Sequence, residues 1–299
     1  MNNNKTFGSL AVALAYASWG LLTLFWNLLA EVNSLYILAQ RILWSMVFMG
    51  IFIAVTKDTG EIKAIFKNRR DLLICFICGM LITVNWGTYI YAVNSGHVLD
   101  ASLGYFIEPI VVSVIGMLTF KERLSRFEKI TFFFSVLGLA YMIAVTRVMP
   151  LLALVIAGSF AVYGAVKKMI HISAQASLFM ETLCMTPFAL IFTVIAEQQG
   201  FGSIGVLSGQ ALLLLPACGV ITSVPLLLFN IGVKKIPYYI SGILMYINPT
   251  LQFLMGLCYF HEAMDIHRLI AFIIIWLGIL FTVYEKAKLI YREYHPLEN

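Results

Sequence analysis

Three ionisable side chains stand in stretches that are otherwise apolar. Arg41 lies in LAQRILW (38–44), Glu108 in YFIEPI (105–110) and Glu181 in LFMETLC (178–184). A guanidinium is a permanent cation with a planar fork of donors, suited to a carboxylate or phosphate. A carboxyl group can carry a proton or hold a cation. At hydrocarbon depth a lone charge costs several kcal/mol, so each of the three should face an interior and find a partner. Arg41 is seven residues beyond Ser34, roughly 10 Å at the helical rise. Glu108 is eight beyond Asp100, about 12 Å from the same side. The matching depths predict that the two pair or share a polar cavity. A purely structural ion pair is the competing reading.

Aromatic and amide residues could line such a cavity: Trp44, Asn85, Trp86, Asn94, Tyr163, Asn248, Gln252 and Trp276. Trp86 and Trp276 are the better aromatic candidates, because they lie farther from the expected helix ends. Pro109, Pro225 and Pro249 lie where a missing backbone donor would bend a helix, so they are candidates for kinks or gates. Enzymatic chemistry finds no foothold. There is no H-E-x-x-H, no G-x-S-x-G and no phosphate-binding P-loop. His97, His171, His261, His267 and His295 are scattered, and the five cysteines all fall in apolar runs. We therefore expect no catalytic residues, no metal and no cofactor.

The elements that would position these groups follow from composition. The chain of 299 residues is 61% hydrophobic and 12% charged. A soluble domain could not bury that much apolar surface, so the lipid bilayer is the expected partner. The net charge of +5 does not point to nucleic acid, because the basic residues occupy short loops rather than one face. Ten apolar stretches are long enough to cross: 8–28, 34–55, 71–93, 100–119, 127–146, 149–166, 176–196, 211–231, 238–260 and 268–285. Helices are required, since backbone groups in lipid must be satisfied within the segment. The apolar run after Lys5 outlasts a signal-peptide core, so it is read as an uncleaved first span. Lys57, Lys63, Lys67, Arg69, Arg70, Lys121, Arg123, Arg126 and Lys129 share loops on one side with Lys5, whereas Arg147 and Arg268 lie opposite. This bias predicts that both termini are cytoplasmic.

Pro109, Gly116, Phe120 and Glu122 recur 140 residues later as Pro249, Gly256, Phe260 and Glu262. An offset of 140 maps spans 1–5 onto spans 6–10. Five is odd, so the halves must enter the membrane in opposite senses. The expected fold is all-α: a polytopic membrane protein of ten transmembrane helices in two inverted five-helix repeats, residues 1–146 and 147–299. Inverted repeats are the architecture of secondary transporters that rock about a midplane site.

Specific residues resemble a known family. Asn85-Trp86, Tyr91-Ala92-Val93-Asn94, His97 and ASLGYF (101–106) leading to Pro109 are similar to the drug/metabolite transporter superfamily, EamA type, RarD group of chloramphenicol-sensitivity permeases. Arg41 with Trp44-Ser45, Ser159-Phe160, Tyr163-Gly164, Glu181 with Pro187, VPLL (224–227) and Tyr246-Ile247 before Pro249 extend the resemblance over nearly the whole chain. The family carries Asn where this chain has Glu108, and Lys where it has Asn27. The resemblance implies a ten-helix metabolite exporter of the inner membrane. The expected function is secondary transport, exporting small amphipathic or drug-like solutes by alternating access, with protons coupled through Glu108 or Glu181 or with no coupling. A non-transporting membrane sensor or assembly protein, or an intramembrane enzyme, is the alternative.

Overall fold

Large apolar side chains line much of the exterior, while three ionisable ones are buried inside. The structure, a computed structural model, describes residues 3–57, 59–121, 126–147, 150–167, 172–204, 207, 209–233, 235–236, 244 and 246–294. Among these residues Leu73, Ile77, Met80, Val84 and Tyr91 form one exposed stripe at helical spacing, and Ile266, Ile273, Leu277, Leu280 and Tyr284 form another. Arg41, Glu108 and Glu181 are buried. Such an exterior suits hydrocarbon rather than water.

Every regular element among the described residues is helical. The helices are α1 (Asn3–Asn27), α2 (Ser34–Thr56), α3 (Thr59–Lys67), α4 (Arg69–Asn94), α5 (Val98–Phe120), α6 (Arg126–Thr146), α7 (Leu151–Lys167), α8 (Ala174–Gln198), α9 (Leu214–Val233), α10 (Ile247–Leu254) and α11 (Ile266–Tyr294). A π-helical turn, Met255–Tyr259, extends α10. Four helices among the described residues are long and apolar enough to cross a membrane: α1, α2, α4 and α8. Shorter apolar stretches occur in α6, α7, α9 and α11. The segment read from sequence as a basic loop contains the short helix α3, which buries Ile65. Its other residues are mostly polar, so it escapes a search for spans.

Polar caps set several helix starts. Asn33 accepts from the Leu35 and Tyr36 amides, at 2.9 and 3.4 Å, to begin α2. Ser173 accepts from Ala176 at 3.2 Å to begin α8. Each satisfies amides that the helix itself leaves unpaired.

Packing joins distant parts of the chain. α2 lies against α8 and α9, α1 against α9 and α10, α4 against α7 and α8, α5 against α7 and α10, and α6 against α11. The α6–α11 contact is close at Gly138 and Gly278. A Cβ on Gly138 would lie 2.8 Å from Ile275 Cγ1, and one on Gly278 would lie 2.6 Å from Phe134 Cβ. Thr131 Oγ1 bonds the Gly278 carbonyl at 2.6 Å across the same contact.

Two carboxylates tie chain-distant elements at helix ends. Glu262 accepts from the Val98 and Leu99 amides, at 2.5 and 3.0 Å, and so caps α5. Glu197, near the end of α8, accepts from the Tyr36 hydroxyl and from the Ser203 amide at 2.9 Å. Glu262→Ala should lower the thermal midpoint by an amount corresponding to about 1–2 kcal/mol, the scale of a lost helix cap. Differential scanning fluorimetry in detergent checks this, with Glu262→Gln retaining part of the stability through its remaining acceptor oxygen.

Candidate functional site

The site grows from Arg41, about two turns into α2 on its buried face. Its guanidinium carbon lies 4.0 Å from the Trp86 ring centroid and 5.0 Å from that of Trp26. Arg41 is 5% exposed, and its Nε and Nη1 have no hydrogen-bond partner. The expected ion pair with Glu108 is not formed. Aromatic faces hold the cation instead. Trp86 belongs to α4 and Trp26 to the end of α1, and both reach the same core as α2. Tyr89, one turn beyond Trp86, is buried with its hydroxyl unpartnered. It meets Tyr105 of α5 edge-on at 5.9 Å between centroids.

Glu108 lies one turn beyond Tyr105 and is 2% exposed. Tyr105 thus stands between the Arg41 cluster and the helix that carries the carboxyl. Phe106 and Ile107, its neighbours, pack into a separate core with Phe253, Phe272 and Ile275.

The second half of the chain also reaches Arg41's helix. α9 approaches so closely that a Cβ on Gly219 would lie 2.3 Å from the Trp44 carbonyl oxygen. Trp44 donates to Gln40 at 3.2 Å, and Gln40 reaches Thr193 of α8 at 3.3 Å. Buried Thr222 and Ser223, just before Pro225 in α9, have unpartnered hydroxyls, as does Ser45 on α2.

Other sequence candidates separate from this cluster. Glu181 is fully buried, and Ser177 and Tyr163 donate to it at 2.5 and 3.1 Å. Asn85 donates to the Ile156 carbonyl at 2.9 Å and to Ser159 at 3.2 Å, which ties α4 to α7. Gln252 donates to Asn248 at 2.8 Å along α10, while its own Oε1 is unpartnered. Asn94 has no partner for either amide atom. Trp276 packs among Phe253 and Phe272, at 4.9 and 6.3 Å, away from the cation. Pro249 stands in the first turn of α10 rather than midway along a helix. A proline there forfeits no helical hydrogen bond. Its carbonyl instead accepts from Ser102 of α5 at 2.9 Å. The side chain of Pro109, and Glu122, lie outside the described residues.

Sequence reasoning did not single out Trp26, Tyr89 or Tyr105 above other aromatics. Trp86 and Tyr89 share a helix face at a spacing of three, which is a local signal. Trp26 has none, because it meets Arg41 only through the turn between α1 and α2.

An apolar exterior around buried polar groups, with several long apolar helices, is consistent with a multi-pass membrane protein. The EamA-like transporter family matches residues 6–144 and again 148–284. Protein RarD of Streptomyces exfoliatus is 35% identical, with 99% of this chain and 94% of the relative covered. The uncharacterized transporter YojE of Bacillus subtilis is 36% identical, over 94% and 95%. A chloramphenicol-sensitive protein RarD of Pseudomonas aeruginosa is 26% identical, over 89% and 90%. A solved crystal structure of a protein with 16% identity superposes with a TM-score of 0.63 over 94% of this chain and 99% of the other, a likeness of fold. The chain belongs to the EamA-like transporter family. The family's description and the name of the Bacillus subtilis relative state transport, and no enzymatic family is indicated.

Proposed function

We propose that the protein is a secondary transporter of the inner membrane that exports small amphipathic metabolites or drug-like solutes by alternating access. In this reading ten spans form two inverted five-span repeats, 1–146 and 147–299, with both termini cytoplasmic and the Arg41 cluster at their shared centre. One observation carries it: the most extensive helix contacts are preserved when the halves are exchanged. The 140-residue offset takes α5–α7 to α10–α1, α4–α7 to α9–α1 and α2–α9 to α8–α4, while α2–α8, α5–α10 and α6–α11 map onto themselves. The backbone supports the same relation. Lys121 and His261, 140 apart, both adopt positive φ, 56° and 49°. This is an uncommon state for residues other than glycine.

Two halves that touch through equivalent faces can rock from one arrangement to the other without losing contact. Reconstituted liposomes test the proposal. Protein-dependent, saturable flux of a solute found to accumulate in a deletion strain is expected. Absence of flux for every such solute would leave a non-transporting role. Cysteine labelling from either side of the membrane tests the topology, with residues flanking Glu122 and Glu262 expected in opposite compartments.

Proton coupling, if it exists, has Glu108 as its carrier in this reading. A carboxyl buried in the bilayer can exchange a proton as access alternates, whereas an amide cannot. Glu108→Gln should therefore flatten the pH dependence of transport between pH 5.5 and 8 while flux persists. An unchanged pH profile removes Glu108 from that role.

A further inference from the structure

Arg41 is a permanent cation whose buried nitrogens have no acceptor. Its Nε and Nη1, the Trp26 indole Nε1 and the Tyr89 hydroxyl are all buried without partners. Trp26 Nε1 can only donate, and so can every nitrogen of the guanidinium. No carboxylate among the described residues pairs with Arg41. The Cys218 thiol, on neighbouring α9, donates to the Leu214 carbonyl at 3.4 Å.

The aromatic contacts do not complete the cation's coordination. The Trp86 and Trp26 rings lie against the guanidinium carbon, but Nε and Nη1 still lack acceptors. Cation–π contacts offset only part of what burying a charge costs. The edge still calls for an acceptor, and a carboxylate matches a guanidinium edge with two parallel hydrogen bonds. The described cluster brings one arginine and no lysine, which suits one negative charge rather than two.

We infer that Arg41, flanked by Trp26 and Trp86, binds the carboxylate of an organic monoanion whose flat apolar body packs among Trp86, Tyr89 and Tyr105. This rests on the transporter reading and names its substrate class. It also gives Trp26 and Trp86 a positioning role: they fix the plane of the guanidinium so that its edge faces the ligand.

Binding and flux are measured separately. The purified full chain in detergent is titrated with phenylacetate, indole-3-acetate and 4-hydroxybenzoate, and with phenylacetamide as the uncharged match for the first. The readouts are tryptophan fluorescence and thermal midpoint. At least one carboxylate should bind, and phenylacetamide should bind none or far more weakly. Arg41→Gln should weaken carboxylate binding roughly tenfold or more, the scale expected when one partner of a buried charge pair is removed. Arg41→Lys, which keeps the charge but loses the fork, should fall between. The acid-against-amide comparison uses the unaltered protein, so it stands even if a variant misfolds. Equal binding of acid and amide, undiminished carboxylate binding by folded Arg41→Gln, or no binding of any carboxylate overturns the inference. In parallel, proteoliposomes are assayed with the same carboxylates, phenethylamine and chloramphenicol, after subtraction of leak through protein-free liposomes. Flux of the amine or chloramphenicol with none of a carboxylate sinks the anion site and leaves the transporter. Carboxylate binding with no flux of any solute sinks the transporter and leaves the anion site.

Discussion

Gly219→Ala yields little correctly folded protein. The added methyl would lie 2.3 Å from the Trp44 carbonyl oxygen and 2.5 Å from its carbon. Both are backbone atoms in the middle of α2, so no side chain can rotate away. Overpacking a tight contact costs about 1–3 kcal/mol and more when backbone must move. Here α2 and α9 would have to separate, and α2 carries Arg41. Gly158, inside α7, has nothing within 4 Å of its added Cβ. Gly158→Ala should be silent or stabilise slightly, by up to about 1 kcal/mol, because alanine loses less backbone entropy in a helix. Size-exclusion profiles and thermal midpoints of the two variants, expressed side by side, check the contrast. Equal behaviour would mean that α2 and α9 do not touch as described.

Glu181→Leu has the next largest expected effect. The carboxylate is fully buried and accepts from Ser177 and Tyr163. Leucine supplies volume but no acceptor, so these hydroxyls lose the bonds they make. A buried polar group left unsatisfied costs about 1–3 kcal/mol. With both affected, we expect a loss of roughly 2–5 kcal/mol and a sharply lower thermal midpoint. Glu181→Gln keeps one acceptor oxygen and should lose much less. A double comparison with Tyr163→Phe isolates the shared bond: if Glu181→Gln and Tyr163→Phe add fully, the two groups do not act together.

Much of this arrangement was legible in the sequence, for reasons particular to each residue. The burial of Arg41, Glu108 and Glu181 followed from the cost of charge in hydrocarbon, which leaves only an interior face. Lys121 and His261, which share a positive φ, each stand between the Phe and the Glu of the set that recurs at an offset of 140, a backbone likeness the pattern itself did not foretell. The partners of the buried charges were not legible. Depth along an axis says nothing of rotation about it, so Arg41 and Glu108 could share a level without meeting. Glu181 finds hydroxyls at positions 163 and 177, which no spacing rule singles out. Trp276 lies well inside its helix, yet it faces Phe253 and Phe272 rather than a polar space, because the twist of α11 against its neighbours decides which way it points. The role of Glu262 was half visible. Its recurrence was plain, but capping another helix requires tertiary proximity that only folding supplies.

The carboxylates of Glu262 and Glu197 bridge at the same end of the bundle, one to the start of α5 and the other to the start of α2. Each is modest alone. Because they fasten separate helices to different parts of the second half of the chain, releasing either leaves the other still holding. If access alternates as proposed, both contacts would have to break before the helices at that end could part.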